Sequence, residues 1–78
     1  MTPNGAAIRS IREARGLSLR RLAHLIERSP GFLSHIERED DGASPETLGR
    51  IASSLAVPIE AITREKTRDQ EDFPGPRA

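Results

Sequence analysis

Cysteine is absent from this 78-residue chain, which excludes disulfides and thiolate-bound zinc together. No apolar run approaches the roughly 20 residues that a membrane span requires, so no membrane partner is expected. The opening residues, MTPNGAAIRS, hold no apolar segment of the kind a secretory signal needs, and the expected location is cytoplasmic. Only two histidines occur, eleven positions apart, with no glycine-rich phosphate loop and no nucleophile set beside a base. No enzyme, cofactor or metal site is therefore expected. Period-two alternation, the mark of a half-buried strand, is missing as well. The length allows one domain, and a chain this small buries only about 60% of the surface its unfolded form exposes.

What is present is helical periodicity, densest between Ser18 and Arg38. Leu19, Leu22, Ala23 and Ile26 fall at i, i+3, i+4 and i+7, one apolar stripe on a helix over about 19–26. Ser18 precedes it as a cap whose hydroxyl can accept an orphan N–H. Ser29 caps a second helix, over 30–37, with Pro30 in the first position, where a missing N–H costs nothing. Leu33, Ile36 and Phe32 face inward there. Gly31, Ser34, His35 and Arg38 are left outward. A short helix with an apolar inner side and a compact polar outer side, braced by a preceding helix, suits a DNA major groove.

Net charge is formally zero, yet it is unevenly spread. Residues 1–38 carry seven arginines against three glutamates, a balance of +4, and residues 39–78 carry five basic against nine acidic side chains, a balance of −4. The positive half holds the candidate reading head, as attraction to phosphate favours. An ordinary arginine-rich solvated surface is the plain alternative.

The rest of the chain fits around that pair of helices. Residues 1–5 read as a flexible lead-in, with Asn4 a possible cap, and a first helix over 6–15 turns Ala7, Ile8, Ile11 and Ala14 inward. Gly16 supplies the left-handed residue at its end. Residues 39–43 are loop by composition. Ser44-Pro45 opens a fourth helix just as Ser29-Pro30 opens the third, with Leu48, Ile51, Ala52 and Leu55 as its stripe. Pro58 can start a short fifth helix carrying Ile59 and Ile62. The folded unit spans 6–63, and 64–78 is a charged tail too polar to offset the cost of ordering it, expected to be disordered. The fold class is a small all-α bundle of about five short helices.

At this point the sequence resembles the Cro/phage-repressor (Xre-type) helix-turn-helix family, lambda-repressor-like in fold. The resemblance is carried by Ile8, Ile11, Arg12, Arg15, Gly16, Leu17 and Ser18, then by Leu22-Ala23. It continues through the run Ser29-Pro30-Gly31-Phe32-Leu33-Ser34, with Ile36-Glu37-Arg38 after it. Ser44-Pro45, Thr47-Leu48, Ile51-Ala52, Leu55 and Val57-Pro58 complete it. It covers about residues 5–63, and the order and spacing of several short motifs make it specific. It implies a third helix that reads the major groove, and a homodimer on a palindromic operator in double-stranded DNA.

His35 matches a position that often touches a base edge, where imidazole donates or accepts according to tautomer; the plain reading is an exposed polar residue. Pro30 and Gly31 stand where relatives often carry glutamine-like side chains. They offer close backbone approach and contact with a thymine methyl instead, so specificity shifts toward Ser34, His35, Arg28, Arg38 and DNA shape. Arg20 and Arg21 oppose the dipole of the second helix, a placement that a phosphate at the helix start would reverse. Ser18, Ser29, Ser44, Thr47 and Arg38 complete the phosphate candidates, although the serines are first of all helix caps. By the family pattern, Arg12 and Glu37 form a structural ion pair. Glu27 and Arg28 replace a glycine and an apolar residue in the turn, where either a left-handed glutamate is kept at roughly 1 kcal/mol or the second helix runs further. Glu39, Asp40 and Asp41 are read as solvated acids that limit non-specific affinity, and they lack the ligand spacing of a calcium loop.

Two functions fit this sequence. One is a sequence-specific DNA-binding transcriptional regulator, a repressor, with Val57, Ile59 and Ile62 as the dimer surface. The plain reading of those three is that they close the core. The other is a protein-interaction module, an antitoxin or coactivator-like adaptor, whose acidic half or tail binds a basic partner.

Overall fold

The computed structural model describes residues 2–40 and 42–64. Four helices form it, α1 (Gly5–Ala14), α2 (Leu19–Leu25), α3 (Pro30–Glu37) and α4 (Pro45–Leu55), followed by a 3-10 turn at Ile59–Ile62. Two short strands, β1 (Thr2–Pro3) and β2 (Thr63–Arg64), pair antiparallel with Thr2 opposite Arg64 and Pro3 opposite Thr63. The all-α expectation holds, and its fifth helix is this 3-10 turn.

Each α-helix starts with a side-chain cap. Asn4 Oδ1 accepts from the Ala7 N–H, Ser18 Oγ from Arg21, Ser29 Oγ from Phe32 and Ser44 Oγ from Thr47. Each bond satisfies one of the first-turn donors that the helix itself leaves unpaired. Each helix also ends alike, on a residue with left-handed backbone: Gly16 (φ 73°), Glu27 (φ 62°), Glu39 (φ 61°) and Ala56 (φ 61°). The residue after each donates back into the last turn, as Leu17 N–H does to the Arg12 carbonyl and Arg28 N–H to the Ala23 carbonyl. The left-handed glutamate in the turn is therefore kept. Three such endings without glycine hold about 1–2 kcal/mol of strain each.

The core joins the stripes of all four helices. Ile8, Leu22, Ile26, Leu33, Ile36, Leu48, Ile51 and Leu55 are fully enclosed, and Ile62 joins them from the 3-10 turn. Phe32, Leu17 and Ile11 pack around this centre, half-buried. Ala14, expected inward, is exposed, because α1 ends there and the chain turns away.

The N-terminal residues depart from their expected looseness. Pro3 and Gly5 are buried, and the Asn4 N–H donates to the Ile62 carbonyl at 2.8 Å. These bonds tie both ends of the bundle together, so the folded unit takes in Thr2 and Arg64. Gly5 is where α1 meets the end of α3. A Cβ there would overlap the Glu37 carbonyl oxygen and sit 2.9 Å from that of Ile36. Only glycine allows the two backbones this close. The expectation of a disordered tail falls, from residue 65 on, outside the described residues.

Gly5→Ala is expected to lose about 1–3 kcal/mol of stability in urea unfolding, since the added methyl displaces packed backbone. Gly49, inside α4, has nothing within 4 Å of the place its Cβ would take. Gly49→Ala is expected to gain up to about 1 kcal/mol by removing a poor helix former. A similar response at both positions would contradict the close approach at Gly5.

Candidate nucleic-acid interface

The outward surface of α2 and α3 is small, polar and positive. Capping by Ser18 and Ser29 brings both helix starts to this surface, and neither first turn carries an acid. Ser18, Arg20, Arg21, His24, Arg28 and Pro30 line one open hollow between the two helices. His24, Arg28, Ser29 and Phe32 line the adjoining one together with Glu27. The structure thus brings together the candidates Ser18, Arg20, Arg21 and Pro30. It adds His24, which sequence reasoning passed over. Its signal was available: His24 stands four residues after Arg20, hence one turn further along the same face. The Arg28 guanidinium lies 5.2 Å from the centroid of the Phe32 ring, which holds that cation over the start of α3.

Along α3, Gly31 and His35 are exposed and Ser34 is half-buried. The His35 side chain is 50% exposed, and its Nδ1 lies 3.6 Å from Asp40 Oδ2. Arg38 Nε donates to the same oxygen at 3.2 Å. The base-reading candidates therefore share one outward strip that runs from the hollow at the start of α3 to the acids after its end.

Three candidates stand elsewhere. Thr47 is buried, and its Oγ1 accepts from Ser44 Oγ at 3.1 Å. Its hydroxyl is turned into the start of α4, and a phosphate role for it is withdrawn. Ser44 is exposed but lines neither hollow. Ile62 is fully enclosed, since the 3-10 turn presses it into the core, so it cannot belong to a dimer surface. Val57 and Ile59 remain half-buried.

Behind this strip lies an almost fully buried ion pair. Arg12 Nε donates to Glu37 Oε2 at 2.8 Å, Arg12 Nη2 to Glu37 Oε1 at 3.2 Å, and Arg12 Nη1 to the Leu17 carbonyl at 2.8 Å. Side-chain exposures of 10% and 8% leave little water to share these bonds. The hydrogen bond with Glu37 raises the guanidinium's already high proton affinity, against the lowering effect of burial. This geometry binds the end of α3 to α1 and to the chain entering α2.

Glu39, expected to be solvated, is a latch. Its Oε2 accepts from the Gly5 N–H at 2.8 Å and from Arg64 Nη2 at 2.7 Å. The bond from Arg64, then that from Gly5, holds this carboxyl below the ordinary glutamate value. Among the described residues no group of three or more His, Asp or Glu side chains is placed to hold a metal. No described helix is long and apolar enough to cross a membrane.

A bundle whose second and third helices meet at a tight turn, with the third braced from behind and polar in front, defines a helix-turn-helix domain. The chain belongs to the helix-turn-helix family, whose model matches residues 8–62, in the Cro/phage-repressor branch that its sequence resembles. It is similar to the immunity repressor protein of Bacillus phage phi105, 34% identical over 68 residues. That match covers 87% of this chain and 47% of the repressor, so the chain spans about half the length of the curated relative it matches. Among solved structures it is similar to the clp gene regulator ClgR of Corynebacterium glutamicum. The identity is 39% and the TM-score 0.70, over 72% of this chain and 60% of that one. Hydroxypropylphosphonic acid epoxidase of S. wedmorenis contains a similar unit, at 28% identity and a TM-score of 0.71, over 82% of this chain and 35% of the epoxidase. The protein-interaction alternative draws support from none of these likenesses.

Two predictions follow from the bracing contacts. Arg12→Ala leaves the Glu37 carboxylate buried and alone, and is expected to cost about 3–5 kcal/mol in urea unfolding. The paired change Arg12→Met with Glu37→Leu should recover most of that loss; if Arg12→Ala costs under about 1 kcal/mol, the pair behaves as a surface contact. For Glu39, a lowered folded value means that the latch adds stability above the ordinary glutamate range and loses it as pH falls through the folded value. The urea midpoint of the wild type should therefore exceed that of Glu39→Gln at neutral pH. The gap should close as pH drops below about 4.5, and a gap independent of pH would rule the latch out.

Proposed function

We propose that this chain is a sequence-specific DNA-binding transcriptional regulator, a repressor, that acts as a homodimer with α3 in the major groove. One observation carries the proposal. The acid-free starts of α2 and α3 converge on an arginine-lined hollow, beside a strip of small and polar side chains on α3. Backbone N–H groups at helix starts and neighbouring guanidinium groups are the chemistry that receives phosphate. Ser18 and Ser29 each accept a backbone N–H with Oγ, and each hydroxyl keeps its own hydrogen to donate to a phosphate oxygen. With phosphates held there, Pro30 and Gly31 meet the groove by backbone approach and apolar contact, and Ser34 and His35 meet base edges. Arg38 contacts the backbone at the far end of α3, and Ser44 is the remaining phosphate candidate.

The homodimer is carried by Val57 and Ile59, the candidates that still reach solvent. Two copies would read half-sites about 34 Å apart, one helical turn of DNA. The repressor relative and the clp gene regulator support a role in transcription.

Selection from random duplexes at low salt, with mass measurement of the bound complex, tests this reading. Enrichment of a palindrome bound by two chains is expected, with affinity falling steeply as salt rises. His35→Ala should relax the base preference, whereas Arg20→Ala should weaken all sequences alike. If no duplex is enriched at low salt, the proposal fails.

A further inference from the structure

The left-handed ending of α3 differs from two of the others in what it places behind it. In this kind of ending, the second residue past the helix bonds its N–H back into the last turn, and its side chain packs there, commonly as an apolar contact. Leu17 and Val57 take that place after α1 and α4, and both are half-buried. After α3 the place belongs to Asp40, whose N–H donates to the His35 carbonyl at 2.9 Å. An acid is thus carried onto the outward strip by the backbone itself. Its Oδ2 lies 3.6 Å from His35 Nδ1 and 3.2 Å from Arg38 Nε. Glu39, the left-handed residue between, is anchored by Gly5 and Arg64, so the turn that aims Asp40 is held from two sides.

We propose that Asp40 is a specificity-determining positioning residue for DNA recognition, setting which ring nitrogen of His35 meets the base and restraining Arg38 from indiscriminate phosphate contact. The inference rests on the DNA-binding reading above. Of the two tautomers of a neutral imidazole, a carboxylate beside Nδ1 selects the one with its proton on that atom, leaving Nε2 as a lone-pair acceptor for the ligand. In the major groove an acceptor pairs with the exocyclic amines of adenine or cytosine and is rejected by the acceptor edge of guanine. The same negative charge repels any duplex that offers phosphates alone. Repulsion of this kind lowers affinity for wrong sequences, and the matched base contact offsets it only on the right one.

Asp40→Asn in the full chain tests the proposal, because it removes the charge and keeps the shape. In the free protein, the nitrogen resonances of the His35 ring should report a proton on Nδ1 in the wild type and a shift toward the Nε2–H form in Asp40→Asn. An Nε2–H form in the wild type overturns the proposal without any DNA present. Binding is then compared on the selected duplex, on its single-base variants at the position that His35→Ala makes indifferent, and on a scrambled duplex. Asp40→Asn should bind the scrambled duplex about twofold to fivefold tighter, the range of one exposed charge contact. The wild-type preference for adenine or cytosine at that position, about threefold to tenfold for one hydrogen bond, should fall toward unity. In a His35→Ala background, Asp40→Asn should leave base preference unchanged. Wild-type preference retained by Asp40→Asn overturns this inference and leaves the DNA-binding reading standing, whereas a wild type that selects no duplex overturns both.

Discussion

The buried contact of Arg12 with Glu37 is the constraint on which the outward face of α3 depends. A guanidinium presents several donors in a fixed plane, so one arginine can grip both carboxylate oxygens and still reach a backbone carbonyl. Here the carbonyl belongs to Leu17, one residue before the cap of α2. One side chain therefore fixes the end of α3, the body of α1 and the entry to α2 with respect to each other. A hydrophobic contact in its place would be as compact, but it would not dictate rotation about the axis of α3. Rotation decides what α3 exposes, because a turn of some tens of degrees exchanges the polar strip for its flank.

The same end of α3 is held from the other side by groups that have little to do with the apolar core. Gly5 lets α1 begin against the last carbonyls of α3, and Glu39 then takes the Gly5 N–H and Arg64 together. The residues that close the two ends of the bundle onto one another thus also set the direction in which the chain leaves α3. Left-handed backbone at Glu27, Glu39 and Ala56 shows that tertiary contacts override local preference at three helix ends. Such strain persists where the surroundings over-determine the conformation, and the doubly bonded Glu39 is such a case.

Electrostatics divides the molecule in the same sense as its packing. Arginines gather at the starts of α2 and α3, where helix dipoles already favour an anion, and acids gather past the end of α3. Positive and negative side chains accordingly stand at opposite ends of one short helix. Related bundles occur in regulators and within an epoxidase, so it is the exposed strip and its neighbours that distinguish one chain's chemistry from another's.

Much of this was legible in order along the chain. The stripes at 19–26 and 45–55, the Ser-Pro helix starts, the bounds of α3 and the all-α class depend on contacts within one helical turn, and sequence spacing reports these directly. The outward placement of Gly31 and His35 follows from the same periodicity. Only the tertiary structure decided what Gly5, Glu39, His24, Thr47 and Ile62 do. Gly5 looked like a lead-in because its meaning lies in a backbone 32 residues away, that of Glu37. Glu39 looked like one acid among three because its partners, Gly5 and Arg64, stand 34 and 25 residues away in sequence. Ile62 could close the core or serve a second copy, and only the path of the 3-10 turn separates those outcomes. Local order in this protein is written in spacing, while the orientation of α3 is set by long-range bonds between groups whose individual chemistry does not announce the partner.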